Sequence, residues 1–69
     1  MGRELIFLVE ESREGGYEAR ALGESIFTEA ETWDELRDAV QDAVRCHFDA
    51  AERPALLRLH FVRDEVLAA

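Results

Sequence analysis

From Thr32 to Ala51 one side of the chain repeats at helical spacing. Trp33, Leu36, Val40, Ala43, Val44, His47, Phe48 and Ala51 recur at three- and four-residue steps, while Arg37, Asp38, Gln41, Asp42, Arg45, Asp49 and Glu52 fall on the other side. This predicts a single long amphipathic helix with one face to bury. Thr32-Trp33-Asp34-Glu35 has the form of a capping box, in which the Thr32 hydroxyl accepts from the Glu35 N–H and the Glu35 carboxylate reaches back to the Thr32 N–H. Asp34 and Glu35 also place negative charge where the helix dipole favours it. Pro54 is expected to stop the helix, because it lacks an N–H and disfavours helical dihedrals at Arg53.

A chain of 69 residues makes one domain, and a core of that size rarely supplies more than about 3–5 kcal/mol by itself. Cys46 is the only cysteine, so an internal disulfide is excluded and self-association becomes the expected reinforcement. Sixteen acidic residues against eight basic ones give a net charge of −8, spread along the chain. That field disfavours nucleic acid and suits a basic protein partner, and it also serves solubility. No apolar stretch approaches the ~18 residues of a membrane span, and the start lacks the basic region and cleavage site of a signal peptide. With one unpaired cysteine, the expected location is cytoplasmic.

Around the helix the pattern has the two-residue period of strands. Leu5-Ile6-Phe7-Leu8-Val9 is a short apolar run within Arg3 to Glu10, too short for a helix and apolar on both faces. Leu5, Phe7 and Val9 point one way, Ile6 and Leu8 the other. Gly15-Gly16 supplies the positive φ angles of a hairpin turn, after which Tyr17, Ala19 and Ala21 alternate with Glu18, Arg20 and Leu22 in a second, antiparallel strand. A tight connection at Gly23-Glu24 leads to a third short strand at Ser25–Thr28. Beyond Pro54, Leu57, Leu59 and Phe61 alternate with Arg58, His60 and Val62 in a fourth. Periodicity does not decide the structure of 63–69. The expected fold is therefore α+β in the order β-β-β-α-β, an antiparallel sheet with one helix on one face. Since one helix covers one face, Ile6 and Leu8 are left for a second copy of the chain.

Few residues suggest chemistry. Cys46-His47 with His60 matches no zinc spacing, and neighbouring helix positions point about 100° apart, so a packed cysteine and a partly buried histidine are expected. The many carboxylates fall mostly on turns or the helix's polar side, where solvated surface explains them. Gly15-Gly16 precedes no helix and is a turn, while Arg58, His60 and Arg63 are too few for a nucleic-acid footprint. Trp33 is expected as a core anchor at the first helical turn. No catalytic, cofactor or metal constellation emerges, so no cofactor is expected and the chain reads as non-enzymatic.

The run Leu5 to Glu11, then Glu14-Gly15-Gly16-Tyr17-Glu18-Ala19, a short strand, and Thr32-Trp33-Asp34-Glu35-Leu36 opening the helix resemble the N-terminal domain of HicB-like antitoxins. The Gly-Gly-Tyr step and the Thr-x-x-Glu-Leu helix start carry the resemblance, which spans most of the chain. It implies a β-β-β-α-β, partial ribonuclease-H-like fold and a protein-binding role, the family's typical partner being HicA, a small basic messenger-RNA-cleaving toxin. Two features depart from the family pattern. Arg20 to Ser25 stands where typical members carry a Pro-x-x-Pro-Gly-Cys-like loop, and Ala69 leaves no room for their C-terminal DNA-binding segment. Autorepression through DNA is accordingly not expected. The expectation is a self-associating HicB-like interaction domain, either an antitoxin or an orphan relative, with Asp38 and Asp42 contacting a basic partner and Ile6 and Leu8 joining copies. The alternative is an accessory subunit of a larger enzyme complex.

Overall fold

The computed structural model describes residues 3–69. Four strands, β1 (Glu4–Glu11), β2 (Tyr17–Ala21), β3 (Phe27–Ala30) and β4 (Leu56–Val62), and one helix, α1 (Trp33–His47), follow in the order β1-β2-β3-α1-β4. They form one sheet ordered β3-β2-β1-β4 with α1 packed on it, an α+β fold in the expected order. The sheet is mixed. The pairs β1–β2 and β2–β3 are antiparallel, whereas β4 lies parallel to β1 with Leu5 beside Leu57, Phe7 beside Leu59 and Val9 beside Phe61. The expected all-antiparallel sheet fails at this pair because α1 carries the chain back to the end where β1 starts, so β4 leaves in the same direction as β1.

Side-chain alternation on β1 and β2 follows the sequence pattern. Leu5, Phe7, Val9, Ala19 and Ala21 point under the helix and are buried with Ile26, Leu36, Val40 and Val44. The β1–β2 turn is closed by the Ser12 N–H donating to the Gly16 carbonyl at 3.0 Å and the Gly15 N–H donating to the Ser12 carbonyl at 3.1 Å. Gly15 and Gly16 have φ of 95° and 85°, as the paired glycines predict. At Gly16 a Cβ would stand 2.5 Å from the Ala30 carbonyl oxygen, so glycine there also lets the turn approach the end of β3.

The helix starts where the cap predicts. Thr32 is extended and its hydroxyl accepts from the Glu35 N–H at 3.1 Å, a contact worth about 1 kcal/mol in such positions. It ends sooner than Pro54 implies. His47 is the last helical residue, and Phe48 is extended at φ −113°, ψ 142° while its N–H still donates to the Val44 carbonyl. The cause is tertiary: Phe48 packs against the core, Arg3 lies over its ring at 5.8 Å from the centroid, and Arg3 donates to the Glu52 carbonyl. The Arg3 carbonyl accepts from the Ala55 and Leu56 N–H groups, so the returning chain is tied to the start of β1 before Pro54 acts. The third strand is displaced toward its C-terminus, to Phe27–Ala30 from the expected Ser25–Thr28. Ile26 is buried, and its carbonyl accepts from the Ala21 N–H to close the turn around Gly23.

Candidate functional site

The hairpin and helix-start motifs meet at one end of the molecule, where their aromatic residues build structure. Tyr17, Trp33 and Phe61 form a triangle of edge-to-face contacts with centroids 5.5 to 5.9 Å apart. The triangle joins β2, the first turn of α1 and the end of β4, and Trp33 is half-buried in it as the core anchor the sequence predicts. An open depression of about 490 Å³ beside it is lined by Gly15, Gly16 and Tyr17 with Glu14, Glu29 and Glu31. Among the described residues no three His, Cys, Asp or Glu side chains are grouped to hold a metal ion.

Cys46 is exposed, contrary to the packed position expected for it. Val44 faces the sheet, and a residue two positions later points about 200° around the helix, toward solvent. His47 is likewise exposed, with its Nε2 3.6 Å from a Glu24 carboxylate oxygen and its ring against Phe48. His60 stands on the opposite side of the sheet, beside Leu8 in register. Cys46, His47 and His60 therefore do not converge.

The face of the sheet turned away from α1 carries several exposed apolar side chains. Strand register puts Ile6 next to Arg58, and Leu8 between Arg20 and His60, with Phe27 beyond Arg20. The Leu22 N–H donates to the Ile6 carbonyl at 2.9 Å, which extends the β2 pairing and sets Leu22 beside Ile6 on this face. Ile6 and Leu8 are half-buried by these neighbours, while Leu22, Phe27 and Leu56 are 51 %, 58 % and 63 % exposed. Toward the hairpin end the same face turns acidic, with Glu10, Glu18 and Glu29 side by side across three strands. Like charges placed directly opposite one another repel in the isolated sheet. At the other end Arg58 donates to both carboxylate oxygens of Glu4. This bond is the main reason that the Glu4 carboxyl is held below its ordinary range and the Arg58 guanidinium above its own.

Asp38 and Asp42 lie on the far side of α1, both exposed and one helical turn apart, in a row that begins with Asp34. Asp42 has a loose surface partner in Arg45 at 3.6 Å. The two predicted pairs are thus on opposite sides of the molecule: Ile6 and Leu8 on the bare sheet face, Asp38 and Asp42 on the outer surface of the helix. Sequence reasoning missed Leu22 and Phe27 beside Ile6 and Leu8, and the row Glu10, Glu18 and Glu29. The alternation Glu18-Arg20-Leu22 could have placed part of this face, but the row emerges only once strand register is known.

Two similar proteins place the chain in a family. One from Archaeoglobus fulgidus, named UPF0150 protein, is 60 % identical over 52 residues, covering 75 % of this chain and 77 % of that protein. Another of the same name, from Thermotoga maritima, is 41 % identical over 66 residues, covering 96 % of this chain and 93 % of that protein. The chain belongs to the UPF0150 family. No family profile matches it, and no solved structure matches it. Among the described residues no helix is long and apolar enough to cross a membrane.

Proposed function

We propose that this chain is a non-enzymatic protein-interaction domain of the HicB-like kind, self-associating and cytoplasmic, that binds a small basic toxin-like protein or, as an orphan relative, another basic protein. The observation that carries this reading is the bare sheet face, where Ile6, Leu8, Leu22 and Phe27 lie together and are bordered by the carboxylates of Glu10, Glu18 and Glu29. An exposed apolar patch with a charged border is the composition of a protein-binding surface. The β-β-β-α-β order supports the HicB-like assignment, since the motif resemblance implies the same order. Asp38 and Asp42 present carboxylates on the helix without competing contacts to the core, which suits long-range attraction of a basic partner.

A nuclease-treated pull-down of the tagged protein from its own cells, with bound chains identified by mass spectrometry, tests the reading. A small basic companion in stoichiometric amount is expected, and its recovery should fall for the Asp38→Lys, Asp42→Lys double variant. Recovery of its own copies alone removes the antitoxin role. Stoichiometric recovery of a large catalytic chain replaces the reading with the accessory-subunit alternative.

A further inference from the structure

We infer that the groove between the last turns of α1 and the start of β4 is a docking slot for the segment Asp64–Leu67 of a second copy of this chain. A helix is about 10 Å across and neighbouring strands lie ~4.8 Å apart, so one helix covers about two strands. Here α1 lies mainly over β3 and β2, with Trp33 of its first turn reaching Phe61. The β4 side of the same face is left short of cover: Leu57 and Leu59 are only half-buried and Phe61 is 36 % exposed. Where β4 begins, this lane opens into a groove of about 290 Å³, in which Val44, Pro54 and Leu57 supply apolar walls and Arg45 and Arg53 supply two cations.

The complementary surface lies at the other end of β4. Arg63 is 3.7 Å from a Glu11 carboxylate oxygen, and beyond it runs an exposed arm without regular structure, which brings the described chain to 52 Å in length against 21 and 19 Å across. In this arm Val66 is 93 % and Leu67 78 % exposed, directly after the carboxylates of Asp64 and Glu65. Two acids followed by two aliphatics match two arginines beside an apolar groove, in a chain with only eight basic residues. Burying Val66 and Leu67 there removes apolar surface from water on both partners.

The arm cannot fill the groove of its own chain. Val62 and Leu56 stand six residues apart along an extended strand, about 20 Å. Val66 and Leu67 are four and five residues past Val62 and reach at most ~14 and ~18 Å from it, before any length is lost in turning back. A second copy related by a two-fold axis allows each arm to occupy the other's groove, a reciprocal and closed contact. This exchange takes place on the helix side of the sheet, so it stands apart from the association assigned to Ile6 and Leu8 on the opposite face.

The test mixes two full-length variants, both Cys46→Ser, one carrying Ala55→Cys beside the groove and the other a size tag with Ala68→Cys just past the arm; all three positions are exposed. Mild oxidation is expected to give a disulfide joining tagged to untagged chains as the main linked product, and Ile6→Glu with Leu8→Glu should leave that product in place. In parallel, Arg45→Glu with Arg53→Glu should weaken self-association about tenfold by light scattering, as two lost surface pairs with new repulsion would do. Adding Asp64→Arg and Glu65→Arg should restore it. Absence of the mixed disulfide, or a mass that ignores charge reversal and its compensation, overturns the proposal. If Ile6→Glu with Leu8→Glu lowers the mass while the mixed disulfide never forms, the bare-face reading survives and the arm exchange does not.

Discussion

Alternate residues of β1 have opposite surroundings. Leu5, Phe7 and Val9 are 8 %, 0 % and 0 % exposed beneath α1, whereas Ile6 and Leu8, on the same strand and of similar hydrophobicity, are half-buried on a face that no element among the described residues covers. Position on the pleat, and no property of the side chains themselves, makes the difference. The first set holds the monomer together; the second set is available to hold something else. Residues that look interchangeable in the sequence therefore carry different consequences when altered.

The largest expected effect comes from testing that contrast directly. Phe7→Ala removes a fully buried aromatic ring between Ala21 and Leu59, and should cost about 3–5 kcal/mol, enough to unfold much of a domain this small. Leu8→Ala should cost about 1 kcal/mol or less in the isolated chain. Urea denaturation at several protein concentrations separates the two. The Phe7 variant should be weak at every concentration, while any larger loss at Leu8 should grow with concentration, because a contact between copies is governed by mass action. Equal, concentration-independent losses at both positions would break the comparison.

The same contrast between filled and open space recurs in the backbone of the hairpin. Gly15 and Gly16 share the left-handed region, but a Cβ on Gly15 meets nothing within 4 Å while one on Gly16 strikes the Ala30 carbonyl oxygen. Gly15→Ala should therefore cost about 1 kcal/mol from the dihedral alone. Gly16→Ala should cost roughly 2–3 kcal/mol, because β3 must also shift. Thermal unfolding of the pair checks this, and equal midpoints would mean that the turn relaxes without disturbing β3.

How much of this was legible depended on whether a feature is local. The alternation of Leu5 to Val9, the paired glycines and the Thr32 cap depend on residues close in sequence, and each was readable. The end of α1 was not, because it is set by Arg3 and Phe48, which are far apart in the chain and meet only after folding. Proline at 54 marks a place where a helix cannot continue, which is weaker than a place where it must stop. The parallel run of β4 beside β1 also depends on where α1 delivers the chain, and the offset of α1 toward β3 leaves no trace in its period. For the candidate surfaces, Ile6 and Leu8 could be read from alternation, whereas Leu22 and Phe27 beside them and the row Glu10, Glu18 and Glu29 required strand register. Exposure of Cys46 was available from the helical angle alone, since Val44 on the apolar stripe already faced the core, but the border of a stripe is poorly defined by residue type when cysteine is so often buried.

The smallest expected effect sharpens what kind of surface the bare face is. The bond from Arg58 is the chief influence holding the Glu4 carboxyl below its ordinary value of 4.5, with partial desolvation opposing it. The folded chain thus binds this proton less readily than the unfolded chain does. The pair's contribution is complete above the unfolded carboxylate value and is lost as pH falls through the lower folded value. Arg58 is shifted upward, so its own contribution persists at all pH values below the ordinary arginine range and leaves the acid side to Glu4. Both groups are at the surface, where such pairs are weak and screened by salt. Glu4→Gln should therefore give a slightly shallower loss of thermal stability between neutral and acidic pH than the unaltered chain, and Arg58→Met should do the same. If both variants lose stability as steeply as the unaltered chain, the pair contributes nothing to the acid limb. If the difference grows with protein concentration, the Glu4 end of the bare face lies inside an interface, where exclusion of water strengthens the same bond.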